Sequence, residues 1–395
     1  MGRRRAIAVM LISLAAFMSR AQDTSQAAPP DQAHPTGATP TITTQSTLVL
    51  VPALVRDKKS GQLVFNLKAE DFTLTDDGVP QKLRLEKDAG GEPLALVVDI
   101  EGGGEAAGRI DHFAPLMSML DAVVGGVPHR IAVVGFDSSP ALVTNFTSNN
   151  DVAEQGIKAL IMDNNGDEGG AILDSLSFSL DLLRKQPPEY RRAILLVSET
   201  HDDGSHVSID DAMRNLSNSN TTIYAIGFSS SRTQAKEYYK KQMPPEVGGN
   251  GDPGPAHGCM SRDPNDPNVD LKKNRAEQAY DCLTVLAPPL ALARAAYIAV
   301  RGSLEKNIPE TAAHLTGGEY FTLGNQKQFE RDLLAISNHI PNRYVLSFQP
   351  RSPRVGYHTL KLSAPNYQHL DVWGRTGYWA DPAPDAAKQT PAAQE

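Results

Sequence analysis

The fold of this sequence is decided by an unbroken apolar run, Leu94-Ala-Leu-Val-Val98, which leads directly into Asp99. A short apolar run without polar alternation is typical of a strand that is buried on both faces of a parallel sheet. Similar runs recur at residues 130–136, 193–197 and 222–228. The repetition predicts several parallel strands in one sheet.

Helical patterns lie between these runs, over residues 113–124, 171–183 and 209–216. Strands that alternate with helices form βαβ units, whose right-handed crossovers place helices on both faces of the sheet. We therefore predict an α/β fold with a doubly wound, mostly parallel, Rossmann-like sheet. Residues 141–146 are predicted to form an antiparallel edge strand.

Short strands are predicted on both sides of this α/β part. Before it, the step Asp76-Asp77-Gly78 lies between apolar runs and is a strong signal for a β-hairpin. After it, three closing strands are predicted at residues 344–348, 357–363 and 369–373. The predicted organisation is a small β module over 46–90, the α/β domain over 91–341 and C-terminal β-strands over 342–379.

One stretch inside the α/β domain breaks the pattern. Residues 229–289 are rich in Gly, Pro, Asn and Asp and contain both cysteines of the chain, Cys259 and Cys282. A long irregular stretch in a compact domain is usually functional or disordered, so we interpret this one as an insertion. In an oxidising compartment the two cysteines form either a disulfide or two free thiols, and the sequence leaves both open.

The N-terminus predicts export. Arg3-Arg4-Arg5 precede an apolar run over residues 6–18 and a small-residue cleavage signal ending at Ala21, as in a Sec-type signal peptide. The run is shorter than the roughly 20 residues that cross a bilayer, so no transmembrane anchor is expected in the mature chain. Residues 22–45 and 380–395 have few large apolar residues and are predicted to be a disordered leader and tail. We expect the mature chain in the periplasm, on the cell surface or outside the cell.

Composition argues against one class of partner. The 395 residues carry a net charge of −8, with acidic residues spread along the chain. Nucleic-acid binding requires clustered Lys and Arg, so DNA and RNA are poor candidates.

Several of these motifs together resemble a von Willebrand factor A (VWA) domain. They are the strand ending in Asp99, the strand Ile131–Phe136, Gly169-Gly170-Ala171 before a helix, residues 193–205 and residues 223–227. The flanking segments 70–78, 315–321 and 343–348 resemble those of secreted VWFA-related proteins of acidobacteria. The resemblance covers roughly residues 47–380 and implies a protein that binds another protein, here an unknown partner.

The resemblance also implies a divalent ion at the carboxyl edge of the sheet, bound by Asp-x-Ser-x-Ser, a Thr and a later Asp. In this sequence the first Asp is Asp99, whereas Glu101 and Gly103 stand at the Ser positions, Ala171 at the Thr position and Glu199 at the last Asp position. Only the first position matches. The expected site is therefore degenerate.

Two interpretations of the remaining acids stay open. Hard cations such as Mg²⁺ or Ca²⁺ accept several carboxylates, so Asp99, Glu101 and Glu199 are the expected ligands of a remodelled site. Alternatively, these acids, with Asp202 and Asp203 close behind, form only a solvated rim. The first interpretation favours metal-dependent adhesion, and the second favours a metal-independent periplasmic or surface scaffold.

Two other functions are weaker. The glycines at 102–104 and 108 suggest dinucleotide binding, but Asp99 and Glu101 would repel the pyrophosphate. In addition, the acid that ends the next strand, Asp137, lies 35 positions after Gly102 rather than about 20. A hydrolase would use His201 with Asp202 or Asp203, or the hydroxyls at residues 229–231. The sequence contains no Gly-x-Ser-x-Gly or His-Glu-x-x-His motif, so we predict that the protein is not an enzyme.

Overall fold

The computed structural model describes residues 48–86, 92–102, 114–124, 126–162, 166–167, 169–228, 288–350 and 354–381. The predicted signal peptide, the leader, Gly103, Ser229–Ser231, both cysteines and nearly all of the insertion and the tail lie outside these residues. Strands and helices are numbered here along the described chain.

A six-stranded sheet forms the centre of the described chain, in the order β10-β9-β8-β5-β6-β7. Its strands are β5 (Leu94–Glu101), β6 (His129–Phe136), β7 (Pro140–Thr147), β8 (Arg191–Glu199), β9 (Thr221–Phe228) and β10 (Tyr320–Thr322). All neighbouring pairs are parallel except β6 and β7, which are antiparallel. The sheet confirms the predicted mostly parallel fold with an antiparallel edge strand.

Helices cover both faces of this sheet. They are α1 (Ala114–Val124), α2 (Asn150–Met162), α3 (Ile172–Arg184), α4 (Ile209–Asn218), α5 (Pro288–Leu304), α6 (Ile308–Thr316) and α7 (Gln326–His339). Alternate residues of β5 face opposite cores: Leu96 packs in the core lined by α1, α2 and α7, and Val97 in the core lined by α3, α4 and α6. All eight residues of β5 are buried, which explains why its sequence lacks polar alternation.

The remaining strands form two four-stranded sheets, β13-β1-β11-β4 and β14-β12-β2-β3. Their bounds are β1 (Val49–Asp57), β2 (Thr73–Asp76), β3 (Val79–Gln81), β4 (Arg84–Leu85), β11 (Tyr344–Phe348), β12 (Gly356–Ser363), β13 (Leu370–Gly374) and β14 (Gly377–Ala380). Strand β1 pairs with β11 and β13, and β2 pairs with β12. The N-terminal and C-terminal strands, which local sequence patterns predict as separate segments, therefore join into one β unit.

One local prediction needs correction, and two elements were not predicted. Strand β5 does not end at Asp99 but continues to Glu101, so Asp99 lies inside the strand. Helix α2 was not predicted, because only Ala153, Gly156 and Ile157 are buried and this small stripe gives a weak apolar pattern. Strand β14 was also not predicted.

Candidate functional site at the carboxyl edge of the sheet

Asp99 faces the interior rather than solvent. It is fully buried, and its two carboxylate oxygens accept hydrogen bonds from the hydroxyls of Ser175, at 2.6 Å, and Ser179, at 2.9 Å. The two serines lie one turn apart on the buried face of α3. Burial raises the pKa of Asp99 to about 6, although the two hydroxyls oppose part of that shift.

Glu101 lies two residues further along the same face of β5 and is also buried. Its Oε2 atom accepts a hydrogen bond of 2.6 Å from the backbone N–H of Glu199, at the end of β8. Burial, with the charges of Glu199 and Asp202, holds the pKa of the Glu101 carboxyl well above its usual range, and the hydrogen bond from Glu199 opposes only part of this shift. Glu101 therefore joins β5 to the end of β8 inside the protein.

The glycine pair before α3 fits closely against this carboxyl. A Cβ atom on Gly170 would lie 2.9 Å from Glu101 Oε1, and a Cβ atom on Gly169 would lie 2.6 Å from Ser138 Cα. The residue that follows, Ala171, is completely buried and offers no side-chain oxygen. The chain thus packs against itself where the resemblance implies a hydroxyl ligand.

The loop after β8 is bound to the start of α3. Gly170 and Asp203 exchange two backbone hydrogen bonds of 3.0 and 2.8 Å. Asp202 accepts the backbone N–H of Leu173, at 3.0 Å, and the hydroxyl of Ser205, at 2.6 Å. Because Ala171 at the N-cap position cannot cap the helix with its side chain, Asp202 satisfies this helix N–H from a distant loop.

The loop after β6 completes the edge. The backbone N–H of Ala171 donates to the carbonyl of Asp137 at 2.7 Å. The Asp167 carboxylate accepts from both the backbone N–H, at 3.0 Å, and the hydroxyl of Ser138. These bonds connect the ends of β6 and β8 to the segment before α3, so the edge is held together by the protein's own donors and acceptors.

The donor set at this edge does not fit a resident Mg²⁺ or Ca²⁺ ion. Such an ion needs several oxygens directed at one point, from carboxylates, carbonyls, hydroxyls or water. Both Asp99 oxygens accept serine hydroxyls, Glu101 is buried with a raised pKa, and Ala171 has no side-chain ligand atom. Among the described residues, the one group of three or more His, Cys, Asp or Glu with ligand atoms within 4.8 Å of one another lies elsewhere. Asp99, Glu101 and Glu199 are near one another but do not form such a group.

The residues of the hydrolase alternative are also engaged in other contacts. His201 Nδ1 lies 2.9 Å from the hydroxyl of Thr200. Asp202 caps α3, and the backbone of Asp203 pairs with Gly170, as described above.

The compact group of possible metal ligands lies in the β unit and consists of Asp76, Asp77 and His358. Asp76 is the last residue of β2, Asp77 lies in the turn to β3, and His358 lies in β12. From the sequence, the two aspartates were interpreted only as part of a β-hairpin. Their histidine partner was missed, because it is 282 residues away from Asp76.

Comparisons with known proteins concern fold alone. No protein-family model matches the sequence, and no curated protein matches it. An aerotolerance-related membrane protein from Bacteroides fragilis is 11% identical, with 62% of this chain and all of that chain covered and a TM-score of 0.33. The VWA domain of SpRpn10 is 13% identical, with 36% and 78% covered and a TM-score of 0.26. A point mutant of the PilB minor pilin from Streptococcus sanguinis is 14% identical, with 66% and 64% covered and a TM-score of 0.34.

The narrower resemblance to acidobacterial secreted proteins stays a prediction.

In the part of the chain that the structure describes, no helix has the length and apolar character needed to cross a bilayer.

Proposed function

We propose that the protein is an exported module of VWA-like fold that binds a protein partner without a metal ion at the carboxyl edge of its sheet. The observation that carries this proposal is the pair of hydrogen bonds from Ser175 and Ser179 to Asp99. They hold the Asp99 carboxylate in the interior, directed at α3 rather than at the loops of the edge. This geometry favours the metal-independent scaffold, with the difference that Asp99 and Glu101 are buried and not part of a solvated rim.

The charge of the edge indicates the chemistry of the partner. Its described loop segments, residues 137–139, 166–167 with 169–171, and 199–207, contain no Lys or Arg. They contribute Asp137, Asp167, Glu199, Asp202 and Asp203. A partner with a basic surface would be attracted to this edge, because complementary charge accelerates association and disfavours other partners. We propose no enzymatic activity, because the sequence contains no Gly-x-Ser-x-Gly or His-Glu-x-x-His motif and the Asp202 carboxylate is bound to the start of α3.

Site-specific photocrosslinking tests the proposal. A photoreactive amino acid replaces Ser139, an exposed residue in the loop after β6, and the purified mature chain is irradiated in an envelope extract of the source bacterium. The matched control carries the same amino acid at Glu189, which is exposed before β8 and therefore at the opposite edge. We expect one discrete adduct at position 139, none at position 189, and an equal yield with and without added Mg²⁺ or Ca²⁺.

Two results would contradict the proposal. Adducts of equal yield at both positions would mean that the carboxyl edge is not the binding surface. An adduct that forms only when Mg²⁺ or Ca²⁺ is added would restore the metal-dependent mechanism implied by the family resemblance.

A further inference from the structure

The β unit contains a compact group of ligand atoms that plays no part in the proposed function. The Nδ1 atom of His358 lies 3.1 Å from Asp76 Oδ1 and 3.1 Å from Asp77 Oδ2. His358 and Asp76 are buried, with 4% and 8% of their surface exposed, and Asp77 is partly buried. Three side chains, from the end of β2, the β2–β3 turn and β12, therefore direct ligand atoms at one small volume.

The hydrogen bonds around the histidine orient its ring for this arrangement. His358 Nε2 lies 2.8 Å from the backbone carbonyl of Arg354. A carbonyl only accepts hydrogen bonds, so Nε2 carries a proton, and Nδ1 faces the carboxylates. Histidines that bind metals commonly donate their other ring N–H to such a carbonyl, which fixes the tautomer and the ring orientation.

Hydrogen bonds also orient the carboxylates of Asp76 and Asp77. The Oδ2 atom of Asp76 accepts the hydroxyl of Tyr378 at 2.8 Å. The Oδ1 atom of Asp77 accepts the backbone N–H of Thr359, at 2.9 Å, and its hydroxyl, at 3.0 Å. Each aspartate thus uses one oxygen to anchor itself and directs the other towards His358, as the outer contacts of a metal site do.

Two of the three distances between ligand atoms are close to those around a small tetrahedral ion. Ligands about 2.0 Å from Zn²⁺ in tetrahedral geometry lie about 3.3 Å from one another. The observed distances from His358 Nδ1 are 3.1 Å to both oxygens. One imidazole nitrogen with two carboxylate oxygens suits Zn²⁺ better than Mg²⁺ or Ca²⁺, which prefer all-oxygen ligands.

We propose that Asp76, Asp77 and His358 form a Zn²⁺ site that fastens the N-terminal hairpin to the C-terminal strands of the β unit. The proposal is independent of the proposed function. A proton on His358 Nδ1 is the rival occupant, so each ion that binds releases that proton. Asp77 Oδ2 also accepts a hydrogen bond of 2.9 Å from Arg354 Nη2, in addition to its contact with His358.

Calorimetric titration of ZnCl₂ into the purified mature chain tests the site, in two buffers of different ionisation enthalpy at about pH 7.5. We expect one ion per chain, about one proton released per ion and a higher melting temperature. His358→Gln should weaken binding by at least about 100-fold. His369→Gln is the matched control, because His369 is an exposed histidine of the same β unit, and it should bind as the unchanged chain does.

A measurement on the unchanged chain keeps the test independent of variant folding. Nitrogen NMR of the His358 ring should show loss of the Nδ1 proton and a coordination shift when ZnCl₂ is added. A ring that keeps both protons at saturating ZnCl₂ would overturn the proposal. Absence of binding to the unchanged chain, or equal affinity in His358→Gln, would overturn it as well.

Discussion

The hydroxyl of Ser175 donates a 2.6 Å hydrogen bond to Asp99, and both residues are completely buried. The pair crosses from α3 to the middle of the sheet. An acid at this position in the resembled family faces an ion, whereas here it faces a helix. The carboxyl therefore contributes to packing between α3 and β5, and its protonation affects folding.

The buried carboxyl of Asp99 should make stability depend on pH. Its pKa rises from an ordinary value of 3.8 to about 6 on folding. Its contribution is thus fully present below pH 3.8 and is lost as the pH rises through 6. The full change is about 3 kcal/mol. Asp99→Asn, which keeps the shape without the charge, should remove this part of the slope.

Urea unfolding at several pH values between about 4 and 7, the range in which the buried acid titrates, measures the difference between Asp99→Asn and the unchanged chain. Asp371→Asn is the control, because its side chain is half exposed at 49%. Identical pH slopes for Asp99→Asn and the unchanged chain would show that Asp99 is not the titrating group.

The close fit of the glycine pair predicts a second effect. Gly169→Ala would place a Cβ atom 2.6 Å from the backbone Cα of Ser138, so the loop after β6 must shift. We expect a loss of about 1–3 kcal/mol in the free energy of unfolding. Gly302→Ala is the matched control: no atom lies within 4 Å of the added methyl, and the residue is helical. It should stabilise by about 0.5 kcal/mol.

Urea unfolding of the two alanine variants checks this prediction. If Gly169→Ala unfolds at the same urea concentration as the unchanged chain, the close packing of Gly169 on Ser138 does not contribute to stability.

The behaviour with hard cations separates the two candidate ion sites. Because the carboxyl edge does not fit Mg²⁺ or Ca²⁺, millimolar amounts of either should leave the melting temperature unchanged, whereas Zn²⁺ should raise it. Differential scanning fluorimetry on the unchanged chain and on Asp99→Ala and Glu199→Ala measures this. A Ca²⁺-dependent rise that is absent from both variants would establish a remodelled ion site at the carboxyl edge.

Much of the central fold could be predicted from sequence, because a strand buried on both faces has a continuous apolar sequence. Strands β5, β6, β8 and β9 appear as continuous apolar runs, and each is buried over most of its length. Where burial is one-sided and few residues are buried, as in α2, the apolar pattern is weak. The pairing of the β unit was harder to predict, because β1 pairs with strands about 300 residues later, and local patterns do not specify distant pairing.

The position of the candidate site residues could be predicted in part, but their contacts could not. Asp99 and Glu101 could be placed at one end of a central strand, because strand position follows from the apolar pattern. The direction of the Asp99 carboxyl depends on Ser175 and Ser179, whose four-residue spacing on an otherwise apolar helix face was the available signal. His358 had no comparable signal. Its partners Asp76 and Asp77 are about 280 residues earlier in the sequence, and no local pattern connects them to it.

A buried ion cluster joins the sheet to the β unit and gives the last prediction. Glu319 Oε2 lies 2.6 Å from His339 Nδ1 and 3.1 Å from Arg343 Nη2, and Glu319 Oε1 lies 3.6 Å from Arg56 in β1. Arg343 also donates to the hydroxyl of Tyr224 at 2.7 Å. Burial alone would raise the pKa of Glu319, but the hydrogen bond from His339 and the charges of Arg343, His339 and Arg56 outweigh it and lower the pKa.

Glu319→Gln should therefore destabilise the protein strongly, because it leaves the buried Arg343 without its anion. We expect a loss of about 3–5 kcal/mol at neutral pH, measured by urea unfolding. A lowered pKa gives stability that is present above the ordinary value of 4.5 and is lost as the pH falls through the folded value, so the two proteins should converge in acid. Asp371→Asn breaks the exposed pair with Lys58 and should change stability by less than about 1 kcal/mol. If Glu319→Gln were as mild as this surface variant, the cluster would not hold the β unit to the sheet.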